Sequence, residues 1–191
     1  MIDRDTFWAI IDEARTQTIR VTDIPNWLTG FLKEKPVSDI CDFSEREMEL
    51  RVQARDARLW TAAELMMDGC GDDTFDDFRG WLICQGKLIY EQALANPDTL
   101  ADLDQSSGEH GRPLLFSFGS AAVKAYKAKT GQPGPLPLDY SKYAKAPLLH
   151  REFENADVDP LKLSATFPKL YSKFKERQER RSANPVFKPV D

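Results

Sequence analysis

Five aspartates lie within ten residues near the middle of the chain, and carboxylates at this density suit two kinds of chemistry. They are Asp68, Asp72, Asp73, Asp76 and Asp77. Carboxylate oxygens are the ligands that Mg²⁺ and Mn²⁺ prefer, so the run could form a metal centre. Acidic side chains are also stabilising in the first turn of a helix, near the free N–H groups and the positive end of the dipole. The sequence favours a helix start, because the run has no calcium-loop spacing and no histidine or glutamate-rich partner motif.

The charge distribution adds a third use for these aspartates, namely recognition of a basic protein. The net charge is −5, but residues 165–191 hold seven Lys/Arg and three Asp/Glu, which leaves residues 1–164 at −9. Such an acidic body repels nucleic acid and anionic membranes and attracts basic proteins. We therefore interpret Asp68–Asp77 as an acidic patch for a basic protein partner, with no metal and no cofactor. Within it, Arg79 is expected to form a structural ion pair or to contact an anion.

Cys70 is the strongest candidate for a nucleophile, because it precedes a predicted helix N-terminus, where the pKa of a thiol can fall. The two histidines, His110 and His150, lie in a polar loop and far along the chain, so a Cys–His pair is not indicated. The chain also lacks a Gly-x-Ser-x-Gly elbow, a phosphate-binding loop and a dinucleotide-binding glycine pattern. We expect Cys70 to be a small buried thiol and predict no catalytic residue.

The compartment can be predicted from three features of the sequence. No apolar run is long enough to cross a bilayer. The first residues, Met1 to Asp5, are acidic where a secretory signal would be basic and then apolar. Three cysteines without a Cys-x-x-Cys pair do not suggest a disulfide framework. We expect a cytoplasmic protein that does not enter a membrane.

Helical periodicity dominates the chain and predicts a mainly α fold, a compact single-domain bundle of about six to eight helices. The clearest pattern follows the aspartates, where apolar or small residues recur in steps of 3, 4, 4, 3 and 4: Phe75, Phe78, Leu82, Gly86, Ile89 and Ala93. This phase predicts one continuous helix through Gly86. At its start, Asp73 and Asp76 have the spacing of a capping arrangement.

Composition changes after Gly131 and predicts three segments. Residues 1–131 form a helical domain, 132–147 a proline-rich linker, and 148–191 a C-terminal extension with one amphipathic basic helix. The aromatic face of that helix is expected to dock on the body or on a partner, and it could join two copies into a homo-oligomer. Its basic residues could bind nucleic-acid phosphates, although Glu176 and Glu179 interrupt them, so we regard nucleic acid as the weaker partner.

The most distinctive run of the chain is a turn followed by an aromatic helix, with Gly69, Cys70, Asp72, Asp73, Phe75, Phe78, Arg79, Trp81, Leu82, Ile83 and Gly86. Other distinctive positions are Asp3, Phe7, Trp8, Ile11 and Asp12, then Leu59, Trp60, Ala62 and Ala63, and later Pro97, Asp98, Leu100 and Ala101. Together they resemble a bacterial family of proteins of unknown function, number 4240 among the domain families of that kind. The resemblance covers roughly residues 3–131. It implies a helical cytoplasmic domain and no established activity.

The sequence favours a non-catalytic cytoplasmic protein-binding domain. An immunity-type protein that neutralises a basic toxin is one concrete form of this function. The alternative is a metal-dependent hydrolase or nuclease that uses the carboxylates of Asp68–Asp77. A second alternative is nucleic-acid binding through the basic residues of the C-terminal helix, within 169–181.

Overall fold

A computed structural model describes residues 2–103, 118–143, 147–150 and 159–183. Within these residues the chain forms nine α-helices: α1 Arg4–Gln17, α2 Ile24–Lys33, α3 Val37–Gln53, α4 Ala57–Met67, α5 Asp72–Cys84, α6 Lys87–Ala95, α7 Ser120–Thr130, α8 Pro160–Thr166 and α9 Pro168–Ala183. A 3₁₀ segment, Pro97–Asp102, follows α6. The mainly α prediction is confirmed. The only β-type pairing among these residues is an isolated bridge between Asp56 and Leu149.

The core is built from the apolar faces of the helices. The Asp3 carboxylate caps α1 by accepting the N–H of Thr6 at 2.8 Å. Aromatic side chains from several parts of the chain meet in the core, and the largest that are fully buried are Phe7, Phe43, Phe78, Tyr90, Phe118 and Phe167. Helix α2 packs against α7, where the small buried residues Ala121, Ala122 and Ala125 allow a close approach. The bundle thus gives a rigid frame for the turn that carries the aspartates.

The prediction of one continuous helix through Gly86 is wrong. Helix α5 ends at Cys84 and α6 begins at Lys87, because Gly86 adopts a φ of 90°. A Cβ at this position would lie 2.5 Å from Nη1 of Arg15 on α1. The backbone conformation therefore requires glycine, whereas the Arg15 side chain is 41% exposed and can move aside. The two helices nevertheless bury their apolar faces in the same core, which explains why the sequence kept its phase across the break.

The C-terminal part of the chain packs on the body. Leu136, in the predicted proline-rich linker, is buried, and so are Phe167 and Leu170 near the start of α9. Helix α9 lies against α4 and the 3₁₀ segment Pro97–Asp102. None of the helices that the structure describes combines the length and the apolar character needed to cross a membrane.

Candidate functional site

The five aspartates surround the turn that joins α4 to α5. Asp68 ends α4 in a left-handed conformation with a φ of 64°. Asp72 and Asp73 occupy the first turn of α5, and each is stabilised there by about 0.3–1 kcal/mol through the helix dipole. The predicted capping arrangement of Asp73 with Asp76 is wrong, because the N-cap is Gly71 and no side chain caps the helix.

Asp76 binds two arginines. Its Oδ2 atom accepts from Nη1 of Arg51 at 2.9 Å, and its Oδ1 atom accepts from Nη2 of Arg79 at 2.6 Å. Arg79 also donates from Nη1 to the backbone carbonyl of Arg51 at 2.8 Å. Burial lowers the pKa of Arg79, while the charge of Asp76 opposes that shift. In the structure, Arg79 therefore forms an ion pair within α5, and its bond to the Arg51 carbonyl together with the Arg51–Asp76 pair fastens α5 to α3.

A second carboxylate, Glu47, extends this network into the core. Its Oε1 atom accepts from Nε of Arg51 at 2.5 Å, and the residue is only 3% exposed. Burial raises the pKa of Glu47, and the charge of Arg51 opposes the shift. Burial would lower the pKa of Arg51, but the charges of Glu47 and Asp76 outweigh it and raise that pKa. We name Glu47, Arg51, Asp76 and Arg79 the buried ion network; its outer member, Asp76, has a side chain that is 54% exposed.

Two glycines make room for the buried ion network. A Cβ on Gly80 would lie 2.6 Å from Nη2 of Arg51, and a Cβ on Gly119 would lie 3.2 Å from Oε1 of Glu47. Sequence reasoning missed Glu47 and Arg51. The signal was present, because Glu47 continues the buried face of α3 at helical spacing after Phe43.

Asp68 is engaged by the C-terminal helix. Its carboxylate accepts hydrogen bonds from the guanidinium of Arg181 and from the side-chain amide of Gln178. It therefore belongs to the contact between α4 and α9.

The other three aspartates of the predicted patch are Asp72, Asp73 and Asp77, which we call the acidic face. Asp72 and Asp73 are exposed and Asp77 is half-buried. Within the described residues none of the three forms an ion pair. Burial raises the pKa of Asp77; the charge of Arg51 opposes this, and the charges of Asp76 and Asp73 add to it. Over the described part of the chain, no three His, Cys, Asp or Glu side chains are arranged to hold a metal ion.

Cys70 is a poor nucleophile in this setting. Burial, with smaller contributions from Glu64 and Asp72, raises the pKa of its thiol to about 12. Its backbone carbonyl accepts the indole N–H of Trp60 at 2.7 Å, and that indole stacks on Phe75. The turn is thus fixed by packing, and the thiol stays protonated at neutral pH.

His150 has a partner that sequence reasoning did not find. Its Nδ1 atom lies 2.9 Å from Oδ2 of the buried Asp56, which also caps α4 by accepting the N–H of Arg58 at 2.7 Å. Two backbone hydrogen bonds also join these segments: Leu149 accepts the N–H of Ala57 and donates its own N–H to the carbonyl of Arg55. No local pattern could have indicated it, since 94 positions separate the two side chains. His110 lies outside the described residues.

An open groove of about 710 Å³ lies between α1 and α6. Its charged lining residues are Asp12, Arg15, Lys87 and Glu91, and Leu88 beside them is 69% exposed. The groove is lined by two acidic and two basic side chains, so its lining has no net charge that would favour a charged ligand.

Comparison with known families gives one match. The model of a family described as "Protein of unknown function (DUF4240)" matches residues 2–128. The match contains α1–α6 and ends within α7, so α8 and α9 lie outside it. Searches of curated proteins and of solved structures gave no match.

Proposed function

We propose, for a chain that belongs to the DUF4240 family of proteins of unknown function, a non-catalytic role in which the acidic face binds a basic protein partner. The observation that carries this proposal is the contrast among the five aspartates. Asp68 and Asp76 have cationic partners, whereas Asp72, Asp73 and Asp77 have none within the described residues. Three charges therefore remain available on one end of α5.

The acidic face contains like-charge repulsion in the free protein and is presented rigidly. Asp73 and Asp77 are one helical turn apart, and like charges at this spacing destabilise a helix by about 0.2–0.5 kcal/mol. A cationic partner relieves this repulsion. The buried ion network fixes α5 on α3, so little order has to be gained when a partner binds.

Asp68 gives a second line of support, because its carboxylate already holds the guanidinium of Arg181. The same turn thus binds an arginine of a basic helix within the chain. The charge of −9 over residues 1–164 adds long-range attraction, which accelerates the encounter with a basic protein at low salt. A cytoplasmic immunity-type protein that neutralises a basic toxin is one concrete form of this role.

The alternative functions gain less support from the structure. Nucleic-acid binding needs the basic side chains of α9, but Lys169 pairs with Asp102, and Arg177 and Arg181 contact the body. A metal centre needs converging carboxylates, and Asp68 and Asp76 instead point their oxygens at arginines of different helices.

The test compares two triple variants in the full chain, with a fluorescent oligoarginine peptide as the probe. Asp72→Asn, Asp73→Asn and Asp77→Asn together should weaken binding about tenfold, since each exposed pair contributes about 0.2–1 kcal/mol. The matched control replaces three other exposed acids, Glu13→Gln, Glu91→Gln and Glu179→Gln, and makes the same change in net charge. Equal affinity of both variants for the peptide would refute the acidic face as a binding site.

A thermal measurement separates this proposal from the metal-dependent alternative. A ligand that binds only the native state raises the melting temperature by mass action. We expect no rise with millimolar Mg²⁺ or Mn²⁺ relative to chelator. A rise that the Asp72→Asn and Asp73→Asn variant abolishes would replace the proposed role with a metal centre.

A further inference from the structure

The contact surface of α9 has a regular pattern. Four cations recur at steps of four residues, Lys169, Lys173, Arg177 and Arg181, and Leu170, Phe174 and Gln178 form a parallel row. Residues at this spacing share one face of a helix. Leu170 is buried, Phe174 is partly buried, and all four cations have partners on the body. The basic edge of α9 is therefore turned toward the domain.

The body offers matching acceptors along the whole helix. The carboxylate of Asp98 accepts the backbone N–H groups of Lys169 and Leu170 at the start of α9. The Lys169 ammonium pairs with Asp102 at 2.7 Å, and the Lys173 ammonium donates to the carbonyl of Ala101. We call this surface the helix seat and define it by Leu65, Asp68, Asp98, Ala101 and Asp102.

The end of the helix seat uses a feature of α4. Arg177 donates to the carbonyl of Leu65, one of the last four carbonyls of α4, which have no intrahelical donor. The same end carries the negative pole of the α4 dipole, which attracts cations. Beyond it, Arg181 reaches Asp68. The helix seat thus favours a helix that has basic residues at every fourth position. The free N–H groups at the start of that helix are capped by Asp98 of the body.

The helix seat lies in the part of the chain that matches the family, whereas α9 lies outside that match. The ion pair between Lys169 and Asp102 is exposed, with side-chain exposures of 57% and 61%, and such pairs contribute about 0–1 kcal/mol. In the second pair Arg181 is 45% exposed, while the side chain of Asp68 is 19% exposed. Within α9 itself only Leu170 is buried. The helix is thus attached by contacts that another helix of the same pattern can replace.

We propose that the helix seat is a binding site for a basic amphipathic helix of a partner protein, and that α9 occupies this site in cis as its competitor. Because α9 is covalently attached to the body, its effective concentration at the helix seat is on the order of a millimolar. A partner helix therefore binds the intact chain only when its concentration and affinity are high enough to displace α9. The helix seat and the acidic face are different surfaces. Binding at either one can therefore be disproved without affecting the other.

The test uses a fluorescent peptide of residues 167–183 as the probe and the full chain as the receptor. Lys173→Pro breaks α9 near its middle, because proline in a helix interior costs about 3 kcal/mol. The emptied seat should bind the peptide at least about tenfold more tightly than the unmodified chain does. Leu170→Ala, a milder change, should produce a smaller gain in the same direction. Lys175→Ala, on the exposed side of α9, is the matched control and should produce none.

Further variants identify the site and distinguish the outcomes. Asp98→Ala added to Lys173→Pro removes the acceptor of the Lys169 and Leu170 N–H groups and should remove the gain. The Asp72, Asp73 and Asp77 triple variant should leave peptide affinity unchanged. A scrambled peptide of the same composition should not bind. The proposal is overturned if Lys173→Pro binds the peptide no better, or if that variant unfolds the body, since α9 would then be part of the core. The proposal is also overturned if the unmodified chain is a dimer and Lys173→Pro dissociates that dimer. The helix seat would then bind a second copy of this chain.

Discussion

Asp98 and Leu170 are joined by a hydrogen bond of 2.9 Å between a buried carboxylate and a backbone N–H, across 72 positions of the sequence. The same carboxylate accepts the N–H of Lys169. It therefore acts as the N-terminal cap of α9, although it belongs to a different segment. The relationship couples the body to the extension at one point, and it can be tested by substitution.

We expect Asp98→Ala to lower the free energy of unfolding by about 0.5–2 kcal/mol, the range found for lost helix caps. Both N–H groups would lose their acceptor. Urea denaturation followed by circular dichroism measures the loss, which corresponds to about 2–4 °C in melting temperature per kcal/mol for a chain of this length. Asp102→Ala is the control, because its ion pair is exposed and its loss should stay within about 0.5 kcal/mol. Equal losses for both variants would contradict the capping role.

The buried ion network should be the most sensitive polar cluster of the body. Arg51→Met leaves the carboxylate of Glu47 buried without its cation, and removing one partner of a buried pair costs about 3–5 kcal/mol. Adding Glu47→Gln to that variant should restore part of the loss. A double-mutant cycle in urea measures the coupling. Two additive losses would show that the two side chains do not interact.

Glu47 also predicts a pH dependence of stability. Its pKa in the folded protein is raised by burial, so between its ordinary value and the folded value the native state binds more protons than the unfolded state. The free energy of unfolding should therefore fall as the pH rises through that window. Glu47→Gln should flatten this slope when urea denaturation is repeated across the window. An unchanged slope would assign the dependence to other groups.

The sequence predicted those parts of the fold that depend on short spacings. The periodic apolar face of α1 and the glycine that ends α7 are local features, and the structure contains both. Gly86 was misjudged because periodicity reports which face is buried and contains no information about φ. The two residues outside the helices at this break, Gln85 and Gly86, happen to preserve the phase of the pattern.

The candidate site shows the same limit. The pairing of Asp76 with Arg79 was open to prediction, since three positions separate them on one helix. The partners Arg51 for Asp76 and Arg181 for Asp68 lie 25 and 113 positions away, and only the packing of α3 and α9 brings them close. For this reason the sequence located the aspartates correctly on a turn and helix start, but could not predict which of them stay unpaired.

Cys70 should react slowly with iodoacetamide in the folded protein. A rise in thiol pKa from 9.0 to about 12 lowers the thiolate fraction about a thousandfold near neutral pH. A more basic thiolate is more nucleophilic, which raises its rate constant for alkylation by a factor of roughly 20. The net effect is that alkylation of Cys70 slows by about fiftyfold. Peptide mapping by mass spectrometry at pH 8 compares the folded chain with the chain in urea. Faster alkylation of Cys70 in the folded state would revive the nucleophile hypothesis.

Gly86 and Gly30 form a matched pair for testing the break between α5 and α6. Gly86→Ala must place a Cβ on a backbone with a φ of 90°, so we expect a loss of more than about 1 kcal/mol in the free energy of unfolding. Gly30 lies in the regular helix α2 with no atom within 4 Å of an added Cβ. Gly30→Ala should therefore stabilise the chain by about 0.4–1 kcal/mol, because alanine restricts the unfolded state and fits the helix. Urea denaturation of the two single variants measures both effects. Similar values for the two substitutions would mean that residue 86 can adopt helical geometry, and the boundary between α5 and α6 would then not depend on glycine.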